Sequence, residues 1–567
     1  MARQLWDHWL RRLPDPQILR GGRDIRFTCG KTALHHDYDR LRHTLPASGI
    51  DQDAGGTDVG VPPWLAGPKR TLLSSFVVGT IGQLLFAALR SQHLVLRHLG
   101  LAEKVVVIDE AHAYDVYMNR ILDRTLEWLG AHGVPVVVLS ATLPARRRAE
   151  LLKAYDDGRH GPPPPLTWRD RGEVRTDPSA RLRTDLRYPL VTVSAPDWGA
   201  TAVSCADSGC GLKVSLRRFP DDLPALADLL RDRLTDGGCA LVVRNTVARV
   251  QDTAAALRAA LGPDTPVSVA HSRFMALDSA AKDRRLCDTF GPPGSGTRPH
   301  RHVVVARQVA DQSLDIDFDL LVADLTPVDL ALQRIGRLHR HPRDRPTRLT
   351  TANCWITGAD WSTEPPQPVT GSRRVYQPAT LLRSAAVFLP HLDGAPLRLP
   401  TDIAPITQTA YGEAPVGPPA WQPAINQAEA KQQDDITARE PEADDFRLSG
   451  VADPPEVLPL VRTSIGLVIP PWIDGGGIIV CLNVVPTWDL ARSLVQCTVA
   501  LPQAVTFGDV FGEVMAELKG RLYFRVWYGS CWLAGLVLDI DGKGHGRDCP
   551  FDLYYEPQEG LRFVRND

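Results

Sequence analysis

The feature that most constrains the fold is a short apolar run that ends in two adjacent carboxylates. Residues 105–108 read Val-Val-Val-Ile and are followed directly by Asp109 and Glu110. A continuous β-branched run of this length is typical of a strand in a parallel sheet that is buried on both faces. Residues 136–139 form a second such run, and the pattern of residues 117–129 predicts a helix between them. Strands that alternate with helices indicate an α/β fold.

The same alternation recurs further along the chain and predicts a second parallel sheet. Its expected strands include 241–243, 303–306 and 320–322, and its expected helices include 223–234 and 247–261. After about residue 456 the pattern changes to short strands with turns, as in 477–485 and 522–527. We therefore expect two parallel-sheet lobes followed by a smaller β-rich or α+β accessory domain.

Breaks rich in glycine and proline, together with an acidic stretch, suggest where the domains begin and end. The acidic stretch includes residues 424–440, which we expect to form a solvated helix. The predicted organisation is a first lobe (1–165), a connector between the lobes (166–222), a second lobe (223–347), a linker region with the acidic helix (348–455) and the C-terminal accessory domain (456–567).

The ends of the first two strands carry side chains suited to phosphate chemistry. In an open parallel sheet, ligands bind beyond the carboxyl ends of the strands. There Asp109 could hold a hydrated Mg²⁺, and Glu110 could orient and deprotonate an attacking water. The hydroxyl groups of Ser140 and Thr142 follow the next strand and could link a nucleotide site to a bound strand. The plainer alternatives are an acidic turn and a Ser-Ala-Thr turn.

Two segments of the second lobe add further polar and cationic groups. Asp315 and Asp317 lie in a Gln-Ser-Leu-Asp-Ile-Asp segment that could hold a ribose or a strand backbone. Arg337 and Arg340 are spaced by three, so on a helix start they would project from one face. Two convergent guanidinium groups would suit a transferring γ-phosphate. A solvated basic loop is the alternative.

Taken in this order, the motifs resemble those of superfamily 2 helicases, and more specifically the CRISPR-associated helicase-nuclease of type I systems. This family has two RecA-like lobes, with ATP between them and nucleic acid across the top. The resemblance is carried by residues 77–101, 105–115, 137–144, 242–251, 270–274 and 311–341. Arg307 departs from the family, which often has a small hydroxyl residue there.

The resemblance implies a role for each candidate residue. Asp109, Glu110 and His112 would serve hydrolysis, with Asp109 holding Mg²⁺ through water and His112 acting as a relay to the second lobe. Gln333, Arg337 and Arg340 would sense the γ-phosphate. Ser140, Ala141, Thr142, Asp315 and Asp317 would couple hydrolysis to movement. The DNA backbone would be bound by Gly79, Thr80, Gln83, Asn245, Thr246, Gln312 and Ser313.

Two parts that such an enzyme needs are not visible in the sequence. A P-loop reads GxxxxGK[ST], and residues 30–32 (Gly-Lys-Thr) end such a pattern, but its leading glycine position is Ile25. We therefore interpret the first lobe as incomplete, with the chain starting after the nucleotide loop. The dipeptide of His36 and Asp37 has too little chain before it to complete a His-Asp nuclease site, so either a separate nuclease subunit supplies that site or this chain is a truncated remnant.

Two functions stay open on the sequence, and a third, a helicase acting on RNA, is disfavoured only by the family resemblance, because residues 109–112 by themselves do not choose between nucleic acids. The first is an ATP-dependent DNA helicase that is recruited by an RNA-guided CRISPR surveillance complex and moves 3′ to 5′ along single-stranded DNA. The second is a truncated fragment that binds DNA or the surveillance complex without ATP turnover. The balance of 64 Lys and Arg against 66 Asp and Glu argues against a histone-like basic protein. The absence of a signal peptide and of an apolar run of about 20 residues predicts a soluble, cytoplasmic protein without membrane contact.

Overall fold

The structure is a computed structural model, and its residues fall into two compact units that are described separately below. One unit comprises Met1–Val106, Ser272–Asp283 and Asp453–Asp567, and the other comprises Val107–His271 and Arg284–Ala452. The residues that the structure describes are 25–28, 68–90, 94–111, 116–161, 180–195, 199–206, 211–307, 314–451, 479–482, 498–500, 523–528, 531–538, 545–548 and 551–565.

The helices of the described residues include most of those predicted from the sequence. They are α1 (Ile81–Leu85), α2 (Leu94–Ala102), α3 (Val116–Ala131), α4 (Ala145–His160), α5 (Leu223–Arg233), α6 (Val247–Leu261), α7 (Ala276–Phe290), α8 (Val328–Ile335), α9 (Thr370–Val375), α10 (Pro378–Leu392), α11 (Ile403–Tyr411) and α12 (Gln422–Phe446).

The strands likewise include every strand expected from the apolar runs. They are β1 (Ile25–Thr28), β2 (Phe76–Gly79), β3 (Val106–Ile108), β4 (Val136–Val138), β5 (Leu190–Ala195), β6 (Gly199–Ser204), β7 (Leu212–Arg218), β8 (Gly238–Val243), β9 (Val267–Ala270), β10 (Arg301–Ala306), β11 (Leu320–Asp324), β12 (Ala352–Thr357), β13 (Ala359–Asp360), β14 (Gln367–Pro368), β15 (Leu397–Leu399), β16 (Ile479–Leu482), β17 (Thr498–Ala500), β18 (Tyr523–Tyr528), β19 (Cys531–Leu538), β20 (His545–Asp548), β21 (Phe551–Glu556) and β22 (Gly560–Arg565).

The second lobe is built on a seven-stranded sheet with the order β15-β7-β12-β11-β8-β10-β9. The pairs among β7 to β12 are parallel, and only β15 is antiparallel to its neighbour. This sheet confirms the predicted second parallel sheet. It extends beyond the predicted range 223–347, however, because β7 lies before that range and β12 and β15 lie after it. Strand β7 was missed because apolar and polar residues alternate along its first part, so that it lacks a continuous apolar run.

Burial explains why β8 and β11 were easy to recognise. Every residue of both strands is buried, as expected of central parallel strands that are covered on both faces. The same core takes Phe388 from α10, Trp421 from the turn before α12, and Ile425 from α12. The prediction that 348–455 is a linker region is therefore wrong. The acidic helix within it is confirmed as α12.

The first-lobe part of the larger unit contains β3 and β4 as a two-stranded pair. Both strands lie where the sequence predicts them, but the prediction that they are buried on both faces is wrong. Side chains alternate between the faces of a strand. Ile108 is buried, whereas Val107 is 60% exposed and Leu139 is 47% exposed. The described residues cover only one face of this pair.

The smaller unit contains β1 paired in parallel with β2 and two antiparallel-rich sheets near the C-terminus. Their orders are β17-β16-β19-β18 and β20-β21-β22, which confirms the predicted change to short strands. Tyr555 on β21 donates a hydrogen bond from its hydroxyl to Asp278 and accepts one from the Met275 amide at 3.0 Å. None of the helices in the described ranges combines the length and apolar composition that crossing a bilayer requires.

Helices α3 and α4 approach each other closely enough that glycine is required at their contact. A Cβ added at Gly158 would lie 1.7 Å from the Glu127 carbonyl oxygen, and one added at Gly130 would lie 2.1 Å from the Tyr155 carbonyl oxygen. No side chain fits at such distances without a movement of the helix backbones. This contact therefore sets how α4, which begins just after the Ser-Ala-Thr segment, lies against α3.

We expect Gly158→Ala to destabilise the larger unit by about 1–3 kcal/mol, the usual penalty for overpacking a tight contact. The measurement is the thermal unfolding midpoint. Gly211→Ala is the matched control, because its added Cβ would meet nothing nearer than 3.9 Å. Equal midpoints for the two variants would contradict the close approach of the helices.

Candidate functional site

The carboxylates and the Ser-Ala-Thr segment lie at neighbouring strand ends, as the sequence predicts. The Leu139 amide donates to the Ile108 carbonyl at 2.8 Å, and the Ala111 amide donates to the Leu139 carbonyl at 3.2 Å. These two hydrogen bonds hold the ends of β3 and β4 side by side. Asp109 and Ser140 therefore emerge from adjacent positions at one edge of the pair.

The backbone turns sharply between the two carboxylates. Glu110 has a φ of 57°, a left-handed conformation that is uncommon for residues with a side chain. Its amide donates to Oδ1 of Asp109 at 3.0 Å, so the first carboxylate stabilises the turn that presents the second. Both side chains are half-buried. Backbone outliers of this kind cluster at functional sites, where the surrounding structure maintains them.

The Ser-Ala-Thr segment contains one buried hydroxyl group without a hydrogen-bond partner among the described residues. The Thr142 amide donates to Ser140 Oγ at 3.4 Å, whereas Ala141 is exposed. Thr142 is buried, and its Oγ1 has no hydrogen-bond partner among the residues that the structure describes. A buried polar group without a partner calls for an explanation. The predicted role of Thr142 in coupling hydrolysis to movement is compatible with this free hydroxyl.

At the corresponding edge of the second sheet, a fully buried carboxylate organises the strand ends. Asp324, the last residue of β11, accepts hydrogen bonds from Arg244 Nη1 at 2.8 Å, from the Asn245 amide at 2.9 Å and from Arg249 Nε at 3.1 Å. Burial disfavours its ionised form, but the charges of Arg244 and Arg249 outweigh this effect and lower its pKa below the ordinary value.

This network changes the interpretation of Asn245. Its Nδ2 donates to the Leu325 carbonyl and to Ser372 Oγ, both at 2.8 Å. Its Oδ1 accepts from Arg334 at 3.2 Å, and the residue is buried. The expectation that Asn245 binds the DNA backbone is therefore not met by its side chain, because the amide is already used to join strand ends.

The neighbouring candidates at this edge also have structural partners. Thr246 caps α6, since its Oγ1 accepts from the Arg249 amide at 3.3 Å. Arg307, which departs from the family pattern, donates from Nε to the Asn245 carbonyl at 3.2 Å. Half-buried Thr246 keeps some exposure, so it stays a candidate for a DNA contact.

The two candidate arginines do not project together, contrary to the prediction. Helix α8 ends at Ile335, so Arg337 and Arg340 follow a helix end and do not share a helical face. Arg337 is 7% exposed, whereas the side chain of Arg340 is 42% exposed and pairs with Asp315 at 2.6 Å. Gln333 lies on α8 and is half-buried.

The loop that carries these arginines is held by alternating aspartates. Asp317 is fully buried and pairs with Arg343 at 2.6 Å and with Arg345 at 3.0 Å. Asp319 pairs with Arg345 and, at 2.8 Å, with Arg298. The alternative of a solvated basic loop is therefore wrong for Arg343 and Arg345. The spacing of acids at alternate positions was the signal in the sequence that could have indicated this pairing.

The role expected for Asp315 and Asp317 changes accordingly. Asp317 lies too deep to meet a ribose, and its Oδ1 also accepts from the Arg340 amide at 2.7 Å. Asp315 is half-exposed and pairs with Arg340 and, at 3.0 Å, with His341. Burial disfavours ionisation of Asp315, but hydrogen bonding and the charge of Arg340 lower its pKa below the ordinary value.

In the smaller unit, Gly79 ends β2 and Thr80 precedes α1. Both are exposed, and Thr80 makes no side-chain cap for that helix. The Gln83 amide donates to the Thr80 carbonyl at 3.0 Å, and the Gln83 carbonyl accepts from Arg97 at 3.1 Å. The backbone around Thr80 is thus held by hydrogen bonds, while the residue itself is exposed.

Several candidates lie outside the residues that the structure describes. They are His112, Gln312, Ser313, the Gly-Lys-Thr segment at 30–32, and the pair of His36 and Asp37. Among the described residues, no group of three or more His, Cys, Asp or Glu side chains could hold a metal ion.

We expect Asp324→Asn to lower the free energy of unfolding by about 3–5 kcal/mol at neutral pH, because buried Arg244 and half-buried Arg249 lose the buried carboxylate that pairs with both and keep only the more exposed Asp221. The folded pKa of Asp324 lies below the unfolded value of about 4, so this stabilisation is complete above pH 4 and is lost as the pH falls further. Chemical denaturation between pH 3 and 7 measures it. Asp264→Asn, at an exposed position, is the control, and equal losses in both variants would contradict the role of Asp324.

Comparison with protein families gives two matches along this chain. The family described as CRISPR-associated nuclease/helicase Cas3, C-terminal, matches residues 236–343. The Cas3 C-terminal domain matches residues 451–561. The first range covers four of the seven strands of the second sheet and most of the loop that follows α8 (residues 336–345, called the arginine loop below). The second range covers the predicted accessory domain.

Individual relatives match over a longer range. The CRISPR-associated nuclease/helicase Cas3 of Streptococcus thermophilus is 31% identical over 590 residues, which cover 96% of this chain and 60% of the relative. The crystal structure of T. fusca Cas3 with ATP is 26% identical with a TM-score of 0.73, and the match covers 99% of this chain and 64% of that chain.

A third match is a structure described as a CRISPR RNA-guided surveillance complex, pre-nicking. It is 26% identical with a TM-score of 0.69, and the match covers 95% of this chain and 64% of that chain. The chain spans about 60% of the length of the Streptococcus thermophilus relative described above. The chain is Cas3-like by these comparisons, and its parallel-rich seven-stranded sheet is consistent with a RecA-like lobe.

Proposed function

We propose that this chain is the ATP-dependent DNA helicase part of a type I CRISPR antiviral interference system. The observation that carries the proposal is the juxtaposition of Asp109 and Glu110 with Ser140 and Thr142 at the ends of β3 and β4. A pair of carboxylates beside a buried hydroxyl that has no partner among the described residues suits hydrolysis coupled to movement. The similarity to T. fusca Cas3 with ATP supports ATP as the nucleotide.

The carboxylates suit a bound Mg²⁺. This ion is usually held by one or two carboxylates together with substrate phosphates and water, and Asp109 and Glu110 meet that requirement at a strand end. When bound, the ion would neutralise charge on the phosphates. In the proposed reaction Asp109 holds the hydrated metal. Glu110 orients a water molecule towards the γ-phosphate and accepts its proton.

The arginine loop supplies the cations for the second half of the site. We infer that Arg340 is the group best able to reach a phosphate, because its partner Asp315 is half-exposed and that pair is weak in water. Arg337 and Gln333 would line the same region from a more buried position. Asp317 and Asp319 keep the loop in place without touching the nucleotide.

Single-stranded DNA is the proposed substrate, and Gly79 and Thr80 are the described residues best placed to contact its backbone. The exposed Thr80 hydroxyl and the amides at the end of β2 suit phosphate oxygens. The similarity to a structure of an RNA-guided surveillance complex supports recruitment by such a complex.

One observation favours a second function, which is binding without ATP turnover. The sequence holds Ile25 where a P-loop that ended in residues 30–32 would need glycine. Without the amides and lysine of such a loop, a triphosphate loses much of its electrostatic stabilisation. In that case the chain would bind DNA or the surveillance complex, and its remaining motifs would be idle.

We expect ATP hydrolysis by the purified chain to rise on addition of single-stranded DNA, and Glu110→Gln to reduce that rate by at least about 100-fold, as loss of a general base does. Phosphate release is the measurement. Glu103→Gln is the control, because Glu103 is an exposed carboxylate outside the site.

A parallel measurement of nucleotide binding separates the two functions. ATP turnover that Glu110→Gln abolishes supports the helicase. Weaker nucleotide binding in Lys31→Ala than in the unmodified chain would assign phosphate binding to residues 30–32. DNA binding with no ATP turnover in the unmodified chain would contradict the helicase and support the second function.

We expect Thr80→Val to weaken binding of a single-stranded oligonucleotide by about fivefold, the effect of losing one hydrogen bond. The dependence of affinity on salt should not change, since no charge is removed. Fluorescence anisotropy at several salt concentrations measures both quantities. Thr201→Val on the exposed face of β6 is the control, and unchanged affinity in Thr80→Val would contradict the proposed contact.

A further inference from the structure

Helix α11 contacts the beginning of α4, the helix that follows the Ser-Ala-Thr segment. Gln408 on α11 accepts a hydrogen bond on Oε1 from the Ala145 amide at 2.9 Å. Ala145 is buried and is the first residue of α4, where Pro144 provides no side-chain cap. The first amides of a helix have no partner within the helix. Gln408 therefore supplies a partner from elsewhere in the chain.

The same helix also contacts α8, the helix that leads into the arginine loop. The Tyr411 hydroxyl donates a hydrogen bond to the Asp329 carboxylate, and Asp329 lies buried in the first turn of α8. Desolvation of the hydroxyl, and then the charge of Asp329, raise the pKa of Tyr411 well above its ordinary value, although the residue as a whole is 37% exposed. Tyr411 therefore stays protonated and remains a donor throughout the neutral range.

The end of α11 that carries these two side chains is firmly held. Arg383 on α10 donates to the carbonyls of Ala410 at 2.7 Å and Gly412 at 2.6 Å, and also to that of Ala414 at 3.0 Å. It pairs with Glu429 at 2.8 Å as well. A buried arginine that satisfies the last carbonyls of a helix leaves that end little freedom to move.

A second contact to α4, made by Glu413 just after α11, contributes little. Arg146 Nη1 and Glu413 Oε1 are 2.5 Å apart, but their side chains are 62% and 85% exposed. Exposed pairs of this kind contribute close to nothing in water. The directional polar contacts of α11 with α4 and α8 are therefore those of Gln408 and Tyr411, which are spaced by three on one helical face.

We propose that Gln408 and Tyr411 are positioning residues that tie the Ser-Ala-Thr edge of the first lobe to the arginine-loop helix of the second. Through Gln408 the position of α11 sets the start of α4, directly after Thr142. Through Tyr411 it sets the start of α8, and hence the loop that carries Arg340. The link itself rests on the contacts above, and its importance for catalysis rests on the proposed function.

Hydrogen–deuterium exchange on the whole chain tests the link without any need for activity. Gln408→Leu removes the acceptor, and we expect exchange in residues 145–148 to become about fivefold faster, as for loss of one hydrogen bond. The link further requires faster exchange at the distant segment 328–332. Tyr411→Phe should show the reverse pattern, with the direct effect on α8 and the transmitted effect on α4.

Two variants serve as controls on the same helix. Gln408→Glu keeps an acceptor oxygen for the helix start and should exchange like the unmodified chain. Thr409→Ala removes only a hydrogen bond to the Pro405 carbonyl within α11, and it should leave both segments unchanged. Direct effects without transmitted effects, or equal effects in Thr409→Ala, would overturn the proposal.

Steady-state hydrolysis then tests the catalytic consequence. We expect Gln408→Leu and Tyr411→Phe to lower kcat for DNA-stimulated ATP hydrolysis several-fold while KM for ATP stays the same, because neither residue touches the nucleotide. Gln408→Glu should restore kcat. An unchanged kcat would overturn the positioning role. If the unmodified chain hydrolyses no ATP, the proposed function fails, and the exchange experiment alone decides whether the link exists.

Discussion

The neutralisation of buried aspartates by arginines is the interaction on which the second lobe depends. Asp324 lies at the carboxyl edge of the sheet with no exposure, and Arg244 and Arg249 compensate its charge. A buried carboxylate without such partners would be strongly destabilising. The end of β8, which is followed by Arg244, and the start of α6, which carries Arg249, are therefore held against the carboxyl end of β11. Asp317 and Asp319 hold the arginine loop in the same way.

These ion pairs alter what the motif residues do. Asn245 lies where the resemblance implies a DNA contact, yet its amide joins the ends of β8 and β11. Arg337 and Arg340 lie in the expected loop, but one is buried and the other pairs with Asp315. A motif therefore contains buried residues that maintain the structure around a site as well as exposed residues that can contact a ligand. The degree of burial distinguishes the two kinds.

The contacts of α11 with α4 and α8 connect the helices that adjoin the motif segments. Helix α11 belongs to a region that the sequence predicts to be a linker, although its Ile406 and Ala410 pack in the core of the second lobe. Arg383 restrains the end of α11 by hydrogen bonds to its carbonyl groups. Gln408 contacts α4 and Tyr411 contacts α8 from this restrained end of the helix. A predicted linker thus joins the two segments for which coupling and phosphate sensing are proposed.

The sequence by itself determined the strands, the central helices and the adjacency of Asp109 with Ser140, because apolar runs and their periodicity are local properties of the chain. It also predicted the family to which the comparisons point. Only the tertiary structure decided that β7, β12 and β15 complete the second sheet, that Asp317 and Asp324 are buried counter-ions, and that Gln408 caps a helix far away in the chain. Such partners are separated by long stretches of sequence, and only the folded backbone brings their side chains within hydrogen-bonding distance.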